Sequence, residues 1–184
     1  MNKSTQILPI LLLATVLLLS GCASASTESQ NLTRQILKDF KTQLYTIEDY
    51  NKANQLLLSS SMEVVTYIKG FEGFMTEEAF QRFAANRIQT LPLVASENGK
   101  FYLKVTDLQV NKFTSEMENK MIIEYTVKLQ ATYPERNTTE NAEETGEIAF
   151  TKTSEGWKIS NVWFRMNSIL ERELKMRDDA IGRF

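Results

Sequence analysis

The chain has 184 residues, with 21 basic and 23 acidic side chains, one cysteine and no histidine. A single cysteine excludes an intrachain disulfide, and the lack of histidine excludes Cys/His zinc centres, Ser-His-Asp and Cys-His nucleophile systems and histidine proton shuttles. The near-neutral balance gives no electrostatic ground for binding nucleic acid or for a polybasic membrane patch, and no cofactor or metal is expected.

The chain opens with Lys3 and a stretch from Ile7 to Leu19 that is apolar apart from Thr15. This length suits the hydrophobic region of a signal peptide, whereas a membrane-spanning helix needs about 20 apolar residues. Leu19-Ser20-Gly21-Cys22 follows and resembles the lipobox of bacterial lipoproteins. The resemblance implies cleavage before Cys22, a diacylglycerol thioether on Cys22, and a domain held on the extracytoplasmic face of the cell membrane. Two or more acyl chains anchor stably where one does not. Ala23-Ser24-Ala25 also fits an ordinary secretory cleavage site. Removing residues 1–21 of the 184 leaves 163, enough for one domain with its own core.

Residues 22–31 are small and polar and predict a flexible tether; a single domain over 32–184 follows. Leu32, Ile36, Phe40, Leu44 and Ile47 recur at helical spacing. The capping-box form Thr46-Ile47-Glu48-Asp49 predicts a break and a second helix through Leu56-Leu57-Leu58, and Met62 to Ile68 a further short turn. Thr76 is a good N-cap for a helix carrying Phe80 and Phe83, with Met75 and Phe80 placed as a hydrophobic staple.

The period then changes to two. Asn98-Gly99 predicts a hairpin pairing Leu91–Glu97 with Lys100–Lys112, with Pro92 marking an edge and a bulge near Thr106-Asp107. Met121 to Tyr133 alternates cleanly, with Tyr125 and Tyr133 on the apolar face. Pro134 to about Thr145 reads as a polar, Glu-rich loop without calcium-loop spacing. Strands follow over Gly146–Thr153 and Trp157–Met166, the latter with a parity shift near Ser160-Asn161. Ser168-Ile169-Leu170-Glu171 reads as a capping box opening a C-terminal helix from about 168, on which Glu171–Lys175 and Glu173–Arg177 are favourable pairs.

Helices first and a strand meander second predict an α+β fold, with N-terminal helices packed on a bent antiparallel sheet plus a C-terminal helix. This order, the helix from Thr76 to Phe83 and the hairpin residues Gly156-Trp157-Lys158-Ile159-Ser160 are similar to the nuclear transport factor 2-like superfamily. The resemblance implies a cone with a cavity between sheet and helices, lined by Phe80, Phe83, Tyr125 and Tyr133. Its isomerase members use a carboxylate, often with a tyrosine, but Met121–Tyr133 carries no acid on its inward face. Trp163 and Phe164 alternate and cannot share one face; the expectation is that both sheet faces are covered, one of them by the C-terminal helix, and the competing reading is an exposed partner surface. The function expected is a non-catalytic module binding another protein, or a second copy, at the cell envelope. The alternatives are a binder of a small apolar ligand in the cone and, third, an isomerase-like enzyme. An exposed aromatic patch over a filled cone favours the partner; an aromatic-lined cavity favours the ligand.

Overall fold

The computed structural model describes residues 8–51, 55–56, 62–117 and 119–181, with side chains described for 27–51, 55–56, 62–114 and 119–175. Helix α1 (Leu8–Tyr45) includes the 22–31 stretch for which a flexible tether was expected. The Cys22 side chain and residues 1–7 lie outside the described residues, as does most of the helix expected through Leu56-Leu57-Leu58. Leu37, Phe40 and Leu44 bury the apolar stripe of α1, while Leu32 is 51% exposed and falls off it. The predicted break is present: α1 ends at Tyr45, and Ile47 pairs with Leu103 through hydrogen bonds of 2.8 and 3.0 Å.

Helix α2 (Met62–Lys69) and a short turn over Glu72–Phe74 lead to α3 (Glu77–Ala85). Thr76 caps α3 as expected, its side chain accepting from the Ala79 N–H at 3.3 Å. Phe40, Phe71 and Phe83 meet at centroid distances of 5.4–6.0 Å and join α1 to α3.

The next segment departs from the sequence reading. Leu91–Gly99 is a helix, α4, and not a strand. Pro92 occupies the first turn, where its missing N–H costs nothing. Asn98 and Gly99 form the last turn, and Lys100 takes the left-handed conformation (φ 52°) that ends the helix. The edge that a Leu91–Glu97 strand would have used is taken at Leu103 by Ile47.

The sheet is a four-stranded antiparallel meander in the order β1-β2-β3-β4, from β1 (Tyr102–Met117), β2 (Lys120–Tyr133), β3 (Thr138–Thr153) and β4 (Gly156–Phe164). The bulge expected near Thr106 lies between Val105 and Asp107, and two more interrupt the β1–β2 register. Such bulges blunt an edge strand against pairing with other chains. The second expected shift is also present: Ala149 pairs with Asn161 and Phe150 with Ile159, so Ser160 is the extra residue. The loop predicted over Pro134–Thr145 shrinks to Pro134–Asn137, and the rest is strand, with Thr138 to Thr145 paired to Tyr133 to Thr126 of β2.

Helix α5 (Ser168–Ile181) begins one residue earlier in its capping than expected: Asn167, not Ser168, accepts from the Leu170 N–H at 3.0 Å. Glu171 and Lys175 pair at 2.9 Å, while the Arg177 side chain lies outside the described residues. Helix α5 packs on α4, with Asn98 donating to the Glu173 carbonyl at 2.9 Å. It therefore sits on the helical side and leaves the outer face of the sheet open, against the expectation that it covers that face. The architecture is α+β, with helices packed on one face of a bent antiparallel sheet.

Candidate functional site

Inward residues of β2 and β3 meet one turn of α1. Lys41 and Tyr45 are four residues apart, so both point to the same spot on β3, which is Glu144. Lys41 Nζ lies 2.6 Å from Glu144 Oε1, and both side chains are 0% exposed. The Tyr45 hydroxyl donates to Glu144 Oε2, and the Tyr125 hydroxyl donates to Oε1 at 3.0 Å. The Lys41 ammonium also sits over the rings of Tyr125 and Phe164, at 4.7 and 4.9 Å from the centroids.

Burial pulls the Lys41 ammonium below its usual pKa, and the charge and hydrogen bond of Glu144 pull the other way. Burial, and then the Glu144 carboxylate, push the Tyr45 and Tyr125 phenols well above theirs. Tyr67 is raised by burial as well. These phenols stay neutral in the fold where an unfolded chain starts to ionise, near pH 10. Their contribution to stability is complete below pH 10 and is lost as pH rises above it. In a Tyr50→Phe, Tyr102→Phe background, which removes the half-buried Tyr50 and the exposed Tyr102, absorbance at 295 nm and the circular dichroism of unfolding should change together in an alkaline titration; phenolate appearing well before the fold is lost would contradict this burial.

A second cluster lies by α5. The Arg172 guanidinium donates to the Tyr133 hydroxyl at 2.7 Å and to Glu140 at 2.9 Å, and the Tyr133 hydroxyl lies 3.4 Å from Glu173 Oε1. Burial outweighs the pull of Arg172 and pushes Tyr133 up to about 12. Tyr125 and Tyr133 thus serve two separate clusters rather than one cavity wall. Phe83 belongs to the aromatic cluster and borders a cleft of about 120 Å³, while Phe80 is half-buried on α3. The enclosed space bordered by Tyr45, Leu91, Phe164 and Leu170 measures about 10 Å³, roughly one water molecule. Of the four residues expected to line a cone, Phe83 borders the larger cleft, Phe80 is half-buried, and Tyr125 and Tyr133 are buried in their own clusters.

Glu144 is the inward carboxylate that the sequence reading placed in a loop. Its two oxygens receive three donors, Lys41, Tyr45 and Tyr125. The space beside Tyr45 is about 10 Å³, while Tyr125, one of the donors to Glu144, also lines a depression on the outer face. The arrangement ties α1 to β2 and β3. One signal was available: Lys41 falls on the same stripe as Leu37, Phe40 and Leu44.

The other feature is on the outer face. Trp163 is 48% exposed there, whereas Phe164 turns inward over Lys41. Trp163 is the more exposed of the pair. It borders an open depression of about 740 Å³, rimmed by Asn111, Glu124, Thr145, Glu147 and Arg165, and the half-buried Phe164 lines the same depression from its inner side. Gly146 lies in the floor, where a Cβ would come within 2.5 Å of the Tyr125 hydroxyl and of the Trp163 carbonyl. Among the described residues, no group of three or more acid, Cys or His side chains is placed to hold a metal, and no helix is long and apolar enough to cross a membrane.

No protein family matches the chain, and no curated protein sequence matches it. Solved structures give distant likenesses. An IcmL-like type IV secretion system protein from Legionella pneumophila shares 12% identity at a TM-score of 0.47, covering 71% of this chain and 87% of its own. A periplasmic fragment of TraM shares 11% at 0.47, covering 74% and 96%. A nuclear transport factor 2-like superfamily protein from Salmonella enterica shares 15% at 0.33, covering 47% and 58%. Likenesses at this level assign no function to the chain.

Proposed function

We propose that this protein is a lipid-anchored, extracytoplasmic and non-catalytic module that binds a partner protein through the outer face of its sheet. The observation that carries the reading is the exposed Trp163 beside an open depression, over an interior whose enclosed space by Tyr45 is about 10 Å³. A half-exposed tryptophan on a solvent-facing side of the sheet is the residue type that anchors protein interfaces. The spaces beside Tyr45 and beside Phe83, about 10 and about 120 Å³, are smaller than the roughly 300 Å³ at the low end of small-molecule sites.

The anchor rests on Leu19-Ser20-Gly21-Cys22. Cys22→Ser should release the protein from membranes or leave the precursor uncleaved. Unchanged processing together with unchanged membrane retention would remove the lipid from the account. The docking face is tested by placing a photo-crosslinking residue at Thr145, on the depression rim, and for contrast at exposed Gln81 on α3. A discrete crosslinked species in living cells should form from Thr145, vanish when Trp163 is also changed to Ala, and be absent from Gln81. The same products from both positions would refute a docking role for this face.

A further inference from the structure

We propose that the depression beside Trp163 receives a basic side chain of the partner protein, its cationic group lying over the indole and against the Glu147 carboxylate. This rests on the reading of the outer face as the docking surface. The strand registers set Lys112, Glu124, Glu147 and Trp163 side by side across all four strands: Lys112 opposite Glu124, Glu124 opposite Glu147, and Glu147 opposite Trp163. Like charges directly opposite on neighbouring strands repel. Lys112 compensates one of the two, with its Nζ 3.3 Å from Glu124 Oε1. The Glu147 side chain makes no hydrogen bond or ion pair among the described residues, and its other cross-strand neighbour is the half-exposed Trp163. The row therefore reads cation, anion, anion, aromatic, and lacks a second cation at its open end.

A guanidinium or ammonium at that point meets the carboxylate and the ring together, which complements both the unpaired charge and the exposed indole. Arg165, also on the rim, makes no ion pair with Glu147 among the described residues. A hard divalent cation fits less well, since it takes six or more oxygen ligands and this row offers two carboxylates.

The chain has two tryptophans, so indole nitrogen labelling of the full chain in neutral detergent gives two resolved probes. A Gly-Ser peptide carrying three arginines should shift the Trp163 indole signal and leave the buried Trp157 signal in place. Glu147→Gln and Trp163→Phe should each weaken that peptide by roughly two- to fivefold. The same peptide with citrulline for arginine should not bind. Equal shifts from the citrulline peptide, or unchanged affinity in Glu147→Gln, overturn the proposal. So does binding that appears only after Arg165→Ala, because Arg165 then owns the carboxylate. The Thr145 crosslink separates the two levels: if it persists while the arginine peptide fails, the docking face stands and the basic side chain falls. If it is absent too, the docking face falls with it.

Discussion

Lys41→Ala lowers the unfolding free energy by about 3–5 kcal/mol, because it leaves the Glu144 carboxylate buried with its cation removed. Glu144→Ala costs a similar amount for the converse reason, with two phenol hydroxyls also losing their acceptor. Against a total stability of about 5–15 kcal/mol for a domain, either change brings the fold to its margin. The informative variant removes the whole cluster: Lys41→Met, Tyr45→Phe, Tyr125→Phe and Glu144→Leu together should recover most of the loss, because a packed apolar core of similar volume replaces a desolvated pair. Urea unfolding of the single and combined variants measures this. A combined variant no more stable than Lys41→Ala would show that the cluster contributes net stability, and the account of its cost would be wrong. Replacing only Lys41 and Glu144 is a weaker test, since it strands two hydroxyls in an apolar site.

Gly146→Ala should cost about 2–4 kcal/mol through overpacking and a displaced hydrogen bond. The new Cβ would stand 2.5 Å from the Tyr125 hydroxyl and 2.5 Å from the Trp163 backbone carbonyl. The first contact can be relieved by moving Tyr125 off Glu144, at the expense of a buried hydrogen bond; the second requires β4 to shift. In a Tyr125→Phe background the same change should therefore cost less, by about 1 kcal/mol, and not fall to zero. Equal costs in the two backgrounds would mean that the strand, not the tyrosine, absorbs the clash. Because Gly146 pairs with Phe164 one step from the Glu147–Trp163 pair, this variant is also expected to disturb the outer depression.

Local chemistry was enough to read some elements directly. The alternation from Met121 to Tyr133 needs only a sheet with one buried face, and every odd residue in that run is buried. Thr76 caps α3 because a side-chain oxygen and an N–H three residues on suffice. The parity changes at Thr106 and Ser160 record extra residues in a strand, and both appear as register shifts. Composition likewise removed histidine and disulfide chemistry without reference to any fold.

Other outcomes depended on partners distant in the chain. Leu91–Gly99 carries signals for both a hairpin and a helix, and the choice fell to packing, since Ile47 holds the edge of β1 at Leu103 and α5 covers α4. Glu144 looked like one more acid in a polar loop because burying it is costly unless a cation meets it, and that cation, Lys41, is 103 residues away. Lys41, Tyr45 and Tyr125 likewise converge on Glu144 only because α1 docks on the inner face of the sheet. Whether Trp163 faced water or a helix depended on where α5 docked, and its contacts with α4 placed it on the opposite side of the sheet. Periodicity and capping are properties of neighbouring residues and so are written in the sequence. Burial of a charge and exposure of an indole are properties of what arrives from elsewhere, and only the tertiary structure supplies them.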